Sequence, residues 1–195
     1  MDVEMGADGV PRCSWGLSTD EYLPYHDEEW GYPVADDRTL FEKLCLESFQ
    51  SGLAWITILR KRDAFREAFH DFDPGKVAAM TPDDVARLMG DTRIVRHRGK
   101  IESAVNNARR TLSLQESQSL ASFVWGFEPS GSAPRAATTP ESEALARALK
   151  QRSFTWLGPT TVYAFMQAMG LVNDHLQGCA FWKKAATARA NFVRP

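Results

Sequence analysis

The chain has 195 residues, of which 44% are hydrophobic and 25% charged, a composition typical of a globular protein in water. Its formal net charge of -2 excludes a globally basic protein that coats nucleic acid or a membrane surface. No apolar run reaches the roughly 18 residues that a membrane span needs, and residues 1–10 do not resemble a signal peptide. Three cysteines are too few for a disulfide framework. We therefore expect a cytoplasmic protein with no membrane partner.

Helical periodicity dominates the chain and predicts an all-α fold. Two hydroxyl caps stand directly before a proline, at Thr81-Pro82 and Thr139-Pro140, and acidic residues follow in the first turn, a pattern that favours a helix start. Apolar spacing predicts helices over residues 37–55, 63–69, 97–114, 120–127, 141–152 and 160–169. Gly170 is at a plausible cap position after the last of these. No segment has a comparable strand pattern.

The predicted helices form one domain between two short terminal segments. A stretch rich in Pro, Gly, Ser and Ala, residues 128–138, predicts a loop that joins two helical halves. We assign residues 12–182 to the domain. Residues 1–11 are expected to be a flexible N-terminal extension, and residues 183–195 a C-terminal tail.

Two cysteines and two histidines near the chain ends form a candidate metal site. Cys13 and His26 lie near the N-terminus, whereas His175 and Cys179 lie near the C-terminus. A spacing of four residues places the last two on one face of a helix, and the four together could form a closed Cys2His2 shell. The spacing alone is also compatible with the alternative that these two cysteines and two histidines are unrelated core or surface residues.

Large aromatic residues are concentrated near one acid in the first third of the chain. The acid is Glu47, inside an apolar stretch, and the aromatic residues are Trp15, Tyr22, Tyr25, Trp30 and Trp55. A cage of ring faces around a carboxylate suits a flat, cationic ligand that brings hydrogen-bond donors. The alternative is a Trp-rich core with Glu47 on a solvent-exposed helix face.

Two segments are candidate anion sites at predicted helix starts. The first is the basic run that contains Arg96, His97, Arg98 and Lys100, where free backbone N–H groups and Arg side chains could bind phosphate. The second is the turn at residues 157–161, which leads through Gly158 into a helix. A solvated charged surface is the alternative for the basic run.

Five ordered motifs between residues 12 and 181 closely resemble the type I 3-methyladenine DNA glycosylases, a bacterial alkylation-repair family. They are Arg12-Cys13-Ser14-Trp15, Tyr25-His26-Asp27-Glu28-Glu29-Trp30-Gly31, Glu47-Ser48-Phe49-Gln50-Ser51-Gly52-Leu53-Ala54-Trp55, Arg96-His97-Arg98-Gly99-Lys100-Ile101 and Gly170-Leu171-Val172-Asn173-Asp174-His175. The resemblance implies an all-helical member of the helix-hairpin-helix superfamily, with one structural Zn²⁺ that joins the N- and C-terminal segments. Cys13, His26, His175 and Cys179 fall on the family's four ligand positions.

The resemblance also implies roles for the other candidates. Glu47 would hydrogen-bond the extruded base and carry catalysis, Tyr25 and Trp55 would contact or stack on it, and Trp15, Tyr22 and Trp30 would line or support the pocket. The implied DNA contacts are the wedge Gly52-Leu53, the basic residues Arg96, His97, Arg98 and Lys100, and the hairpin residues Gly158, Thr160 and Thr161. The implied partner is double-stranded DNA containing alkylated adenine, the product is free 3-methyladenine, and the protein is expected to be a monomer.

By the same resemblance, Asn173 matches the position at which the wider superfamily has a catalytic Asp. The type I enzymes share this lack of the Asp. Methylation at N3 gives the adenine a positive charge, so bond cleavage releases a neutral base and needs no leaving-group protonation. Selective capture could then supply most of the catalysis, with an abasic site as the product and no lyase step. Ser48 and Phe49 depart from the family's Gly and Gln, and Phe49 could reshape the pocket.

Two other functions are compatible with the same residues. A zinc-dependent hydrolase would need three protein ligands and an open coordination position, whereas the implied shell is closed. A catalytically silent relative could bind alkylated bases or DNA as a sensor, although the presence of Glu47, Tyr25 and Trp55 argues against it.

Overall fold

Helices form most of the computed structural model, which describes residues 2–131 and 136–195. Its helices are α1 (Tyr22–Pro24), α2 (Asp37–Gln50), α3 (Trp55–Leu59), α4 (Arg62–Ala68), α5 (Pro74–Ala78), α6 (Pro82–Gly90), α7 (Arg98–Gln115), α8 (Leu120–Trp125), α9 (Pro140–Gln151), α10 (Pro159–Ala168) and α11 (Ala180–Asn191). Short 3-10 turns cover Ser14–Leu17 and His70–Phe72, and a π-helical turn covers Tyr25–Glu29.

The predicted helix starts are confirmed. Thr81 and Thr139 each form a capping box with the residue three positions later, which satisfies two backbone N–H groups that a helix start leaves free. Gly170, the second residue after the end of α10, adopts a φ of 75°, as a left-handed residue that follows a helix C-cap does. The loop predicted at 128–138 lies between α8 and α9, but its residues 132–135 fall outside the described part of the chain.

The expectation of a chain without strands is wrong at the N-terminus. Strand β1 (Val3–Met5) pairs antiparallel with β2 (Pro11–Cys13). The connecting turn contains Asp8-Gly9, with φ of 76° at Gly9, and an Asp-Gly pair is a recognised hairpin signal. Each strand has three residues, too few for an alternating pattern to be visible. The hairpin delivers Cys13 to the candidate metal site.

The long helix predicted over residues 37–55 is two helices. Helix α2 ends at Gln50 and α3 begins at Trp55, with Gly52 between them at a φ of 81°. The ammonium group of Lys100 donates hydrogen bonds to the carbonyl oxygens of Phe49 (2.9 Å) and Ser51 (2.6 Å). These bonds satisfy carbonyl groups that the end of α2 leaves without helical partners.

Helix α2 lies at the centre of the hydrophobic core. Its residues Leu40, Phe41 and Leu44 are fully buried, and it packs against α3, α7, α8 and α10. Helices α9 and α10 pack together as a hairpin. Asn107 of α7 holds the connecting turn, because its side chain accepts from the Thr155 N–H at 2.9 Å and donates to the Thr155 carbonyl oxygen at 3.0 Å.

The predicted C-terminal tail is mostly helical, and the boundary expected at residue 182 lies within α11. Arg189 pairs with Glu128 at 2.8 Å and donates to the carbonyl oxygen of Leu171. The ring of Phe192 lies 4.6 Å from that of Trp125. The chain end thus contacts the α8 region. Within residues 2–131 and 136–195, no helix combines the length and apolar character that a membrane crossing requires.

We predict that Gly170→Ala lowers the free energy of unfolding by roughly 2 to 5 kcal/mol. A β-carbon there would be strained at positive φ, and it would approach the Tyr32 carbonyl carbon to 2.4 Å, which overpacks the contact. Gly90→Ala is the matched control, since nothing lies within 4 Å of its β-carbon position, and it should raise stability by up to about 1 kcal/mol. Urea denaturation measures both variants, and equal stabilities would contradict this account.

Candidate functional site

A cavity of about 500 Å³ lies among the N-terminal segment, α2, α3 and α10. The six residues predicted to contact a base all line it: Trp15, Tyr22, Tyr25, Trp30, Glu47 and Trp55. Trp15 lies on the first 3-10 turn, Tyr22 on α1 and Tyr25 on the π-helical turn, which Trp30 follows. Glu47 lies on α2, and Trp55 begins α3. The structure therefore brings together residues spread over 41 positions of the sequence into one site.

The aromatic side chains hold one another in fixed orientations. The rings of Tyr25 and Trp55 lie 5.4 Å apart with a 39° angle between their planes. Trp15 packs edge-on against Tyr22 at 5.5 Å and against Trp30 at 5.0 Å, a favourable geometry for aromatic pairs. The cavity walls are therefore preorganised before any ligand is bound.

Glu47 presents a buried carboxylate to this cavity, and it has a partner that the sequence analysis missed. The Glu47 residue is only 4% exposed. Lys43, one helical turn earlier on α2, places its Nζ 2.9 Å from Glu47 Oε1. The i, i+4 spacing was visible in the sequence, but Lys–Glu pairs at that spacing usually lie on solvated helix faces.

The Lys43 ammonium group also contacts two rings of the cavity. It donates to the Tyr25 hydroxyl oxygen at 2.8 Å and lies 3.5 Å from the centre of the Trp55 ring. Burial lowers the pKa of Lys43, although the nearby Glu47 carboxylate acts in the opposite direction. Burial likewise raises the pKa of Tyr25 well above its usual value. Trp55 Nε1 is buried without a hydrogen-bond partner among the described residues.

Asp174 is a second acid at the cavity that the sequence analysis did not single out as a site residue. Its Oδ2 accepts from the Tyr163 hydroxyl and from Gln167 Nε2, both at 2.7 Å. Gln167 lines the cavity beside it. Asn173, which precedes Asp174 and is predicted to match the superfamily's catalytic position, donates to the Trp182 carbonyl oxygen at 3.0 Å.

The four candidate metal ligands converge in the structure. The ligand atoms of Cys13, His26, His175 and Cys179 all lie within 4.8 Å of one another, and all four residues are buried. Cys179 Sγ is 3.7 Å from His26 Nε2 and 3.8 Å from His175 Nδ1. Bond lengths of about 2.3 Å to sulfur and 2.0 Å to nitrogen separate the ligands of a tetrahedral zinc ion by roughly 3.3 to 3.8 Å, and a sulfur from a nitrogen by about 3.5 Å. The donor set can therefore hold a metal ion.

Outer hydrogen bonds orient both histidines of this cluster. His26 Nδ1 lies 2.8 Å from Asp27 Oδ1, and Arg12 in turn holds Asp27 through a 2.8 Å ion pair. His175 Nε2 lies 2.9 Å from the Trp30 carbonyl oxygen. Such second partners fix the ring orientation of metal-binding histidines. The Cys13 thiol and the two histidines lower the pKa of Cys179, which favours the thiolate form that binds metals.

The predicted helical spacing of His175 and Cys179 is wrong. Both residues precede α11, in a segment without regular helix, and Gly178 between them has a φ of 99°. The two ligand atoms are therefore brought together by the turn at Gly178, and not by a shared helical face. The four residues would fill a tetrahedral shell, which leaves no open position for a catalytic water.

The candidate DNA-contacting residues occupy several exposed positions. Gly52 and Leu53 lie in the exposed turn between α2 and α3, with Leu53 41% exposed. The side chains of Arg96, His97 and Arg98 are exposed at the start of α7, whereas Gly158 caps α10 and Thr160 is exposed in its first turn. Thr161 follows and is half-buried. The ring of His97 lies 5.1 Å from that of Trp156, so the starts of α7 and α10 are adjacent.

The predicted DNA contact of Lys100 is wrong. Lys100 is 5% exposed, and its ammonium group binds the end of α2 as described above. The structure also places Phe49, which could reshape the pocket, in the core: it is 1% exposed, packs against Phe65 with ring centres 4.6 Å apart and does not line the cavity.

Comparison with known proteins agrees with this geometry. The family model for methyladenine glycosylase matches residues 15–183. The DNA-3-methyladenine glycosylase 1 of Escherichia coli (strain K12) is 48% identical over 179 residues, which cover 87% of this chain and 96% of that protein.

Solved structures show the same relationship. A crystal structure of 3-methyladenine DNA glycosylase I has a TM-score of 0.83 at 48% identity and covers 87% of this chain and 98% of its own. A variant of 3-methyladenine DNA glycosylase I, solved in complex with 3-methyladenine, has a TM-score of 0.82 at 40% identity, with 87% and 96% covered. The chain belongs to the methyladenine glycosylase family.

Proposed function

We propose that this protein is a base-excision repair glycosylase that hydrolyses the N-glycosidic bond of 3-methyladenine in alkylated DNA. The observation that carries the proposal is the buried Glu47 carboxylate among the cavity's aromatic rings. This arrangement suits a flat base that carries positive charge and hydrogen-bond donors. The relative in complex with 3-methyladenine has the same fold.

The proposed reaction follows from the charge on the methylated base. Cleavage of the bond between the sugar C1′ and the base returns the bonding electron pair to the ring and makes the base neutral. Water then forms the new bond to C1′ and loses a proton, so the products are free 3-methyladenine and an abasic site. Glu47 would bind the base edge and stabilise the cationic character of the transition state. No lysine is assigned to a lyase step.

Access to the base requires that the nucleotide leave the helical stack. We place Gly52-Leu53 as the wedge that fills the resulting gap, since Leu53 is an exposed apolar side chain on a tight turn. Arg96, His97 and Arg98 at the start of α7, together with Gly158 and Thr160 at the start of α10, would contact the phosphates of double-stranded DNA. Action as a cytoplasmic monomer stays a prediction.

We further propose that the four-residue Cys/His cluster binds one structural Zn²⁺. Two thiolates and two imidazoles are a preferred zinc donor set, and both histidines have second hydrogen-bond partners. The ion would cross-link the N-terminal hairpin and the segment before α11. It would take no part in the hydrolysis.

Glu47→Ala should reduce excision of 3-methyladenine by about 10- to 100-fold, since a hydrogen bond to a charged group contributes about 1.5 to 3 kcal/mol and 1.36 kcal/mol corresponds to tenfold in rate. The assay measures release of methylated bases from alkylated DNA by chromatography. Glu116→Gln removes an exposed carboxylate and is the matched control.

Three results of this assay are informative. Unchanged excision by Glu47→Ala would remove Glu47 from the mechanism. If the folded wild-type protein released no base but bound free 3-methyladenine, the protein would be a sensor of alkylated bases. If it did neither, the proposed function would be wrong.

Cys179→Ala should lower the zinc content several-fold and the thermal unfolding midpoint by about 5 to 10 °C, because bound metal contributes directly to folding free energy. Zinc is measured by elemental analysis after dialysis, and unfolding by circular dichroism. Cys45→Ala is the control, since Cys45 is a buried cysteine of the main core outside the cluster and its loss should leave zinc bound. Full zinc occupancy in Cys179→Ala would contradict the assignment.

A further inference from the structure

The proposed function leaves one buried charge unexplained. A pocket for a cationic base is expected to present negative charge and ring faces, yet the ammonium group of Lys43 lies directly against the side chains that supply them. Lys43 is 5% exposed, and burying a cation is costly unless its partners compensate. Its partners are three groups of the cavity itself: the Glu47 carboxylate, the Tyr25 hydroxyl and the Trp55 ring face.

These contacts are the ones that a methylated base would need. The ammonium group lies 3.5 Å from the Trp55 ring centre, which is the distance at which a stacked ring would lie. A base placed between the Tyr25 and Trp55 rings would need a separation of about 7 Å, two van der Waals contacts, whereas the ring centres are 5.4 Å apart. The base therefore cannot enter between these rings as they stand. Lys43 is not among the residues that line the cavity, but it already pairs with the Glu47 carboxylate and the Trp55 ring face that the base would use.

We propose that Lys43 is a specificity-determining residue, an internal cation that competes with the positively charged base for the Glu47 carboxylate and the Trp55 ring face. This inference rests on the proposed function of the pocket. A cationic base would bind groups that are already paired with Lys43 and would lie near its charge. A neutral base would meet the same groups without charge repulsion. Lys43 thus reduces the preference of the pocket for charged over neutral bases.

The competition also has a consequence for product release. Once the glycosidic bond is broken, the base is neutral and has lost its charge attraction to Glu47. The Lys43 ammonium group keeps its charge and lies on the same helix, four residues away. The Lys43–Glu47 ion pair then holds the carboxylate against a weaker competitor, which favours loss of the neutral product.

The test compares two probes of similar shape and different charge. The neutral probe is 3-methyladenine, and the cationic probe is 3,9-dimethyladeninium, in which a methyl group replaces the sugar. Their dissociation constants are measured by calorimetry for the wild-type protein, for Lys43→Met and for Lys43→Arg. Lys76→Met is the matched control, because it removes one positive charge from an exposed position on α5, remote from the cavity.

Lys43→Met should bind the cationic probe about tenfold more tightly than wild type does, a change that corresponds to 1.4 kcal/mol. Its affinity for the neutral probe should change by less than about threefold, so the ratio of the two constants shifts. Lys43→Arg, which keeps the charge, and Lys76→Met should retain the wild-type ratio. A purely structural role for Lys43 would change both affinities together.

Other outcomes would overturn the proposal. An unchanged ratio in Lys43→Met, or loss of both ligands by a folded variant, would show that Lys43 supports Glu47 and does not compete with the base. If circular dichroism shows that Lys43→Met is unfolded, Lys43→Gln gives the same comparison with a neutral polar side chain. A wild-type protein that binds neither probe and releases no base would instead overturn the proposed function.

Discussion

The convergence of four cysteine and histidine side chains is the constraint on which the pocket depends. Cys13 and His26 belong to the N-terminal segment, whereas His175 and Cys179 lie directly before α11. Three of the four residues are within two sequence positions of a residue that lines the cavity. Cys13 is close to Trp15, His26 follows Tyr25, and His175 follows Asp174. A metal ion bound by the cluster would therefore set the distance between aromatic and acidic side chains from opposite ends of the chain.

Ring contacts extend this constraint into the cavity. The His26 ring lies 5.0 Å from that of Trp15, and the His175 ring lies 4.8 Å from that of Trp30. The cluster and the pocket thus share one packed layer of side chains. A structural metal could support base recognition in this way, through rigidity, without any contact to the reacting atoms.

Local chemistry made several features predictable from the sequence. The capping boxes at Thr81 and Thr139 and the left-handed Gly170 depend on neighbouring residues only, so their patterns were sufficient. The aromatic residues and Glu47 were also found, because so many large side chains near one acid are unusual. The structure places them round one cavity, and their roles stay predictions.

Features that depend on tertiary contacts were missed or misassigned. Lys100 looked like part of a basic surface, but the open carbonyl groups at the end of α2 draw its ammonium group inwards. The turn at Gly178 produces the closeness of His175 and Cys179 that helical spacing was expected to produce. The i, i+4 spacing of Lys43 and Glu47 did not identify a buried pair, because only the packing of Tyr25 and Trp55 over α2 makes the position of Lys43 a buried one.

The pocket presents the Glu47 carboxylate, which is paired with Lys43, among aromatic rings that hold one another in fixed orientations. The central claim is that this pocket recognises a methylated base. A crystal structure of the protein with 3-methyladenine tests that claim most directly. We expect the base against the Trp55 and Tyr25 rings, with a Glu47 oxygen about 3 Å from a ring or exocyclic nitrogen. A base bound outside this cavity, or one that leaves Glu47 without a contact to it, would contradict the account.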